Sequence, residues 1–424
     1  MLNSLIPLFQ RLRASNPRLY YFAVRIARRF LAKRLGIYPR VLGREVAAVT
    51  EVLHSTQWNM AYGRGLVHER LEAEFAEFVG VPNAVAVGTG GMALQMSMRA
   101  LGIRPGDEVI HQIDTCAATA MAVMNAGASP VFSDISDETF MLSPESVREH
   151  ASGATRALIA THMWGNPENM VALRAQADAA GWKLIEDACL SLGAVAQGRA
   201  AGAWGDVAVF SFGCIKPIQG GEGGMIVTSD QELARELRAM RNWGDRTIDY
   251  GVRDVTQLAW NGRMSEIVAA VVREQLRGYP RHLALLREAV EEFAGHFQRF
   301  PGVRLGFGTA TSSQECAFSQ VVLKLEESSS VSKQALWNAL VGRGVHVWHG
   351  NFEPINSLSL FTRGHWRDWI LRGDLERLER NYSGRFPNAE RAYRATGLGL
   401  SKVNFLSSGN IRHLQSSLDA VLPR

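Results

Sequence analysis

From Ala84 to about Asn242 the hydrophobic positions alternate between short compact runs and longer mixed ones. The short runs are "AVAV" (84–87), "DEVIHQ" (107–112), "SPVFSDI" (129–135), "RALIATHMWG" (156–165), "WKLIEDA" (182–188), "DVAVFSF" (206–212) and "GGMIVTS" (223–229). Most are apolar through their middles and bounded by Gly, Asp, Ser or Pro, which predicts strands buried on both faces. Between them, "MALQMSMRALG" (92–102), "TAMAVMNAG" (119–127), "NMVALRAQADAAG" (169–181) and "QELARELRAMRN" (231–242) have helical spacing. Strands alternating with helices predict an α/β fold: a mostly parallel mixed sheet covered by helices on both faces. Residues 265–300 read as helix. The remainder mixes short strands and helices, and predicts a smaller C-terminal α+β domain. The expected division is an extension at 1–41, a large domain at 42–285 and a small domain at 286–424.

The extension changes the reading of charge. The chain has 46 Lys and Arg against 41 Asp and Glu. Ten of the basic residues fall in 1–44, where no acid occurs, so the rest of the chain is net acidic. A body of that charge argues against nucleic-acid binding. "LYYFAVRIARRFLAKRL" (19–35) suits a basic amphipathic helix, with Arg34 on the wrong side. Two roles are open to it: packing on the body or a partner subunit, or contact with an anionic membrane surface or acidic partner. Arginines interrupt its apolar run, which argues against a secretory signal. Four cysteines without a CxxC pair fit a reducing compartment and neither a zinc ribbon nor a disulfide scaffold. No His pair has metal-ligand spacing. The expectation is a cytoplasmic protein, with peripheral membrane contact one of the two roles open to the extension.

In open α/β sheets ligands bind at the carboxyl ends of strands, so the residues there matter most. "VGTGG" (87–91) closes one strand and opens a helix, where backbone N–H groups suit a phosphate. It matches neither GxGxxG nor GxxxxGK[ST], and a glycine after a strand is by itself only a turn. "LIEDA" (184–188) ends a second strand with Glu186 and Asp187. Successive strand side chains point to opposite faces, so one of the two carboxylates should face the ligand edge. "SFGCIK" (211–216) ends a third with a hydroxyl and then Lys216, ahead of a loop containing Gly220, Gly221, Gly223 and Gly224. A phosphate cradle, a strand-end carboxylate and a strand-end lysine are what pyridoxal 5'-phosphate requires. Its phosphate takes N–H and hydroxyl donors, its ring nitrogen a carboxylate, and its aldehyde an amine. Lys216 is accordingly the imine-forming lysine.

With those residues in view, the chain resembles the DegT/DnrJ/StrS family of pyridoxal-phosphate-dependent aminotransferases, of fold-type I. The likeness is carried by "LGIRPGDEVI", "MNAGASPVFSDI", "THMWGNPENM", "LIEDACLSLGA", "GAWGDVAVFSFGCIKPIQGGEGGMIVTSD", "RNWG" and "WNGRMSE". It implies that Lys216 is the Schiff-base lysine and Asp187 the partner of the pyridine nitrogen. Ser211 and the turn Thr89, Gly90 and Gly91 would take the phosphate. Asn261 would reach the phosphate of the neighbouring subunit's site, which implies a homodimer with shared active sites. The resemblance also marks departures. Cys116 stands where an aromatic residue packs on the cofactor ring, Leu190 where a Gln or His lies near its phenolic oxygen, and Gly91 where the turn has threonine. "GVHVWHGNFEPINSLSLF" (344–361) matches the family's substrate-side loop only faintly.

The implied activity is transfer of an amino group from an amino-acid donor, glutamate in the family, to a keto-substrate such as a nucleotide-linked keto-sugar. Cys116 and Leu190 keep open a lyase, aldolase or cyclising reaction, and a non-catalytic regulatory role on the same fold.

Overall fold

The computed structural model describes residues 43–58, 66–245, 255, 257–306, 314–370 and 372–422. The basic extension lies outside the described residues. The first helices are α1 (Gly43–Ser55) and α2 (Leu66–Val79). Then strands and helices alternate: β1 (Asn83–Val87), α3 (Gly90–Ala100), β2 (Glu108–Gln112), α4 (Ala117–Asn125), β3 (Ser129–Ser133), α5 (Pro144–His150), β4 (Thr155–Thr161), α6 (Met170–Ala180), β5 (Lys183–Asp187), β6 (Val207–Ser211), β7 (Gly224–Thr228) and α7 (Gln231–Arg241). Every short apolar run read from the sequence overlaps one of these strands.

The seven strands form one sheet in the order β1–β7–β6–β5–β4–β2–β3. β7 is antiparallel to both neighbours, and the pairs from β6 to β3 are parallel. The alternation within each strand sorts its side chains into two cores. Ala84, Ala86, Ala208, Phe210, Met225 and Val227 face Leu71 and Phe75 of α2 and the long helix described next. Val85, Val87, Val207, Val209, Ile185 and Ile226 face α3, α4 and α7. Burial on both faces explains why these strands read as continuous apolar runs rather than as alternating ones.

The helices are capped where the sequence supplies caps. Thr89 accepts from the Met92 N–H at the start of α3, and Asn169 from Ala172 at the start of α6. Gly181 ends α6 in the left-handed region at φ 68°, a position that costs any side-chain-bearing residue more than glycine. α8 (Glu266–His296) runs 31 residues from a Ser265 cap, and carries Pro280 inside it. Past it come β8 (Val303–Leu305), β9 (Gln320–Leu325), α9 (Lys333–Gly342), β10 (Val347–Trp348), β11 (Gly397–Ser401) and α10 (Ser408–Asp419), with shorter helices at Ser359–Thr362, Leu375–Tyr382 and Pro387–Arg391 between β10 and β11. These strands form a separate antiparallel sheet in the order β8–β9–β11–β10. Among the described residues no helix is long and apolar enough to cross a membrane.

Candidate active site

The carboxyl ends of β1, β2, β4, β5 and β6 share one edge of the large sheet, and the residues singled out by sequence gather there. Thr89 and Gly90 open α3 just beyond β1. A Cβ on Gly90 would lie 2.7 Å from the Ser211 Cβ, and one on Gly224 would lie 2.6 Å from the Thr89 carbonyl. Both glycines are therefore dictated by close approach, which presses the turn and Ser211 together. The Thr89 hydroxyl is engaged with Met92 at 3.0 Å. The first N–H groups of α3 have no acceptor within the helix, so they face outward at its positive end. Beside this turn the Gly88 N–H donates to the Gly262 carbonyl at 2.8 Å. Asn261, next along, is exposed.

The two adjacent acids at the end of β5 part company. Glu186 is fully buried, and its carboxylate accepts from His162 Nε2 (2.9 Å) and from the N–H groups of Gly202 (2.8 Å), Trp204 (2.7 Å) and Gly205 (2.6 Å). Burial pushes its carboxyl upward, but the His162 contact and the N–H donors outweigh it and hold it below the usual range. Every lone-pair direction of that group is spent on the fold. Asp187 faces the other way. It accepts from the Cys189 N–H at 3.2 Å and, more weakly, from the Thr119 hydroxyl at 3.4 Å. At 7% exposure it keeps a surface for a further partner.

Lys216 lies five residues past β6, not at the strand's last position. It sits half-buried in a turn closed by its own N–H on the Gly213 carbonyl at 3.1 Å. Gly221 and Gly223 behind it take φ of 87° and 145°, open at low cost to glycine alone. Lys216, Asp187 and Cys116 all act on one thiol. Burial pushes Cys189 well above its ordinary value, the Asp187 charge adds to this, the Lys216 charge opposes it, and Cys116 adds a smaller part. The lysine, the acid and the position marked for ring packing thus all lie near enough to Cys189 to act on its thiol. Cys116 itself is exposed at the start of α4, and Leu190 is half-buried against the core on the far side of the loop.

Sequence reasoning missed several neighbours. Thr119 is one turn into α4, and its contact with Asp187 needed the packing of α4 on the sheet edge. Cys189 is two residues past Asp187 and was read only as a non-ligand. Asp114, two residues before Cys116, is buried. It accepts from Asn351 Nδ2 and the Phe352 N–H, each at 2.6 Å, while the Ile355 N–H reaches the Ile113 carbonyl at 3.1 Å. Burial pushes the Asp114 carboxyl up to about 7 against these bonds. Together they dock the 349–355 stretch on the end of β2. That stretch follows Trp348, whose ring lies 4.1 Å from that of Trp164. Nothing local in the sequence connects Asp114 to residues more than 230 positions later.

A mostly parallel sheet with a glycine turn, a buried carboxylate and a lysine at its carboxyl edge defines a class, the fold-type I pyridoxal-phosphate-dependent enzymes. The family model for the DegT/DnrJ/EryC1/StrS aminotransferase family matches residues 40–365. The chain belongs to that family, and is a pyridoxal-phosphate-dependent aminotransferase. It is 36% identical over 303 residues to dTDP-3-amino-3,4,6-trideoxy-alpha-D-glucose transaminase of Streptomyces venezuelae, a match covering 69% of this chain and 73% of that one. Over 264 residues it is 35% identical to UDP-N-acetyl-3-dehydro-alpha-D-glucosamine 3-aminotransferase of Acidithiobacillus ferrooxidans, covering 62% of this chain and 69% of that one. Among solved structures, S. venezuelae DesV in complex with a ketimine intermediate superposes with a TM-score of 0.77 at 29% identity, over 94% of this chain and 97% of that one. The aminotransferase from Psychrobacter cryohalolentis gives 0.80 at 25% identity, over 91% and 98%.

Proposed function

We propose that this aminotransferase moves an amino group from glutamate to the keto carbon of a nucleotide-linked sugar. The observation that carries the site assignment is the convergence of Lys216 and Asp187 beside a turn whose glycines are dictated by contact with Ser211. The residues fit pyridoxal phosphate: a glycine turn pressed so close to Ser211 that a Cβ at position 90 would collide with it, a carboxylate with spare acceptor capacity, and a half-buried amine. When bound, the cofactor supplies the aldehyde carbon that carries the amino group and a ring that takes up charge.

The chain's own residues do the rest. Thr89, Gly90, Gly91 and Ser211 bind the phosphate through N–H and hydroxyl groups at the positive end of α3. Asp187 holds a proton on the ring nitrogen, and Thr119 and the Cys189 N–H fix the direction in which that carboxylate points. Lys216 Nζ would hold the cofactor's aldehyde, and its amine is the group placed to carry a proton within the site. Cys116, exposed at the start of α4, and Leu190, packed against the core, replace the family's usual ring-packing and polar groups. The sugar assignment draws on the two sugar-nucleotide transaminases among the relatives.

The assembly is a homodimer in which Asn261 acts on the partner's site; its exposure, which leaves it open to a second subunit, supports this. The boundary between a large domain (42–285) and a small one (286–424) falls within α8, because the seven-stranded sheet draws on 83–228 and the four-stranded one on 303–401. The protein is cytoplasmic, and its basic extension supplies either subunit packing or a peripheral contact with anionic lipid.

Borohydride reduction and peptide mapping, followed by assay of glutamate with dTDP- and UDP-linked keto-sugars, test the function. A pyridoxyl group on Lys216 and 2-oxoglutarate formation that depends on the keto-sugar are expected. Modification at another lysine, or no turnover with any keto-sugar, refutes the corresponding half. Mixing Lys216→Ala with Asn261→Ala subunits should restore part of the activity, since one site of the mixed dimer then has both residues. Pelleting of the full-length protein with anionic vesicles at low salt, lost on deleting residues 1–36, would assign the extension to lipid.

A further inference from the structure

Lys402 follows directly on β11, on the four-stranded sheet, and lies 186 positions along the chain from Lys216. It is 8% exposed, and its Nζ donates to the Lys216 main-chain carbonyl at 3.4 Å. The same carbonyl accepts from Gln219 Nε2 at 3.2 Å. Gln219 is itself tied to α8, since its N–H donates to Gln275 Oε1 at 2.8 Å. The turn that carries Lys216 is therefore braced from two sides: by an uncharged amide from its own sheet and by an ammonium from the other.

The backbone that delivers Lys402 is pinned. The Ser401 N–H donates to the His346 carbonyl at 3.0 Å, and Ser401 Oγ accepts from the Val403 N–H at 3.4 Å. Asn404 Nδ2 donates to the same His346 carbonyl, and Asn410 Nδ2 to the Val403 carbonyl, each at 2.8 Å. Burying an ammonium disfavours its charged form. Burial, and then the like charge of Lys216, push Lys402 down to about 8. An apolar residue at 402 would avoid both costs, so the amine needs a reason to be there.

We propose that Lys402 is a positioning residue for Lys216: its ammonium fixes the main chain of the catalytic lysine, so that the amine at 216 meets the cofactor's aldehyde in one geometry. The proposal rests on the reading of Lys216 as the imine lysine. The charged group that acts on Lys402 is Lys216, which with Asp187 and Cys116 also acts on the Cys189 thiol, while the His346 carbonyl anchors Ser401 and Asn404 on the side of the four-stranded sheet. Only the Lys402 brace carries a charge, so it weakens as pH rises through about 8 and the Gln219 brace does not.

The test reads occupancy of Lys216, not turnover. Full-length protein is equilibrated with graded pyridoxal phosphate, reduced with borohydride, and the pyridoxyl fraction at Lys216 is measured by peptide mass spectrometry. For Lys402→Met the half-saturating concentration at pH 7 should rise about tenfold, the loss expected for one hydrogen bond from a charged donor. Lys402→Arg should stay within about threefold of wild type, because it keeps a charged donor. At pH 9 wild type should move toward the Met variant relative to Lys402→Arg. Should Lys402→Met not fold, Lys402→Gln, which keeps a donor without the charge, should be intermediate at pH 7 and insensitive to the move to pH 9. Unchanged half-saturation in Lys402→Met or Lys402→Gln, with a shift only in melting temperature, overturns the proposal, as does an effect confined to the KM for the amino donor. Absence of the pyridoxyl group from Lys216 in wild type is a different result: it removes the reading on which the proposal stands.

Discussion

Glu186 and Asp187 are sequence neighbours of the same chemistry on one strand, and the fold gives them opposite work. Glu186 points toward the loop at 202–205 and His162, and is satisfied four times over. Asp187 points toward α4 and accepts two longer bonds. A buried carboxylate with every acceptor position filled is a structural tie. One with spare acceptor capacity at the ligand edge is a candidate site residue. The difference shows that burial alone does not mark a functional acid; unused hydrogen-bonding capacity facing the ligand edge does.

That contrast can be broken in several ways. The largest effect is expected outside the pair: Lys216→Ala should reduce multiple-turnover transamination to background with little change in melting temperature. Appreciable turnover without an added amine would move the imine to another residue. Asp187→Asn should leave cofactor bound and cost roughly 10²–10⁴ in kcat, the usual range for a positioned proton-holding group. Steady-state kinetics with glutamate checks it, and near-normal turnover would hand the role to another carboxylate.

Glu186→Gln should do the reverse. The amide nitrogen would face N–H donors in place of an oxygen, so at least about 1.5–3 kcal/mol of stability should be lost, as for hydrogen bonds to a buried charged group. Cofactor occupancy in the fraction that remains folded should be unchanged. Because the Glu186 carboxyl is held below its ordinary value, its share of stability is complete above the unfolded pKa and is lost as pH falls through the folded one. Urea unfolding from pH 6 down to pH 3 should therefore be less acid-sensitive in Glu186→Gln than in wild type. Equal slopes would contradict the assignment.

Gly90→Ala should cost about 1–3 kcal/mol by overpacking against Ser211, read as weaker cofactor retention on dialysis. The smallest effect concerns Asp114, whose carboxyl is raised to about 7. A raised acid holds its proton more firmly in the folded state, so its contribution to stability falls as pH rises from the unfolded value through about 7. Denaturation between pH 5 and pH 8 should show a component of that sign that Asp114→Asn removes.

The order of strands along the chain, the helices between them and the gathering of motifs at strand ends were legible from periodicity. That pattern is local: a strand buried on both faces has to be apolar throughout, and a helix has to repeat near 3.6 residues. The lysine and the glycine turn were legible for the same reason, since each sits a few residues past a recognisable strand. Periodicity did not choose between Glu186 and Asp187, because parity places them on opposite faces without saying which face holds the site; only the family resemblance pointed to Asp187. The returning N–H groups of 202, 204 and 205 decide that.

Residues brought in from far along the chain were less legible still. Asp114 meets Asn351 and Phe352, and Lys402 meets Lys216, only because the four-stranded sheet comes to rest at the edge of the seven-stranded one. Side chains that act on the site across such distances leave no periodic trace, since one hydrogen bond constrains one residue and not its neighbours. The sequence by itself therefore determined the class of chemistry, through elements that position their own residues. The tertiary structure decided which acid faces the site, what braces the lysine and which loop closes beside it, because those depend on contacts between elements that local pattern does not encode.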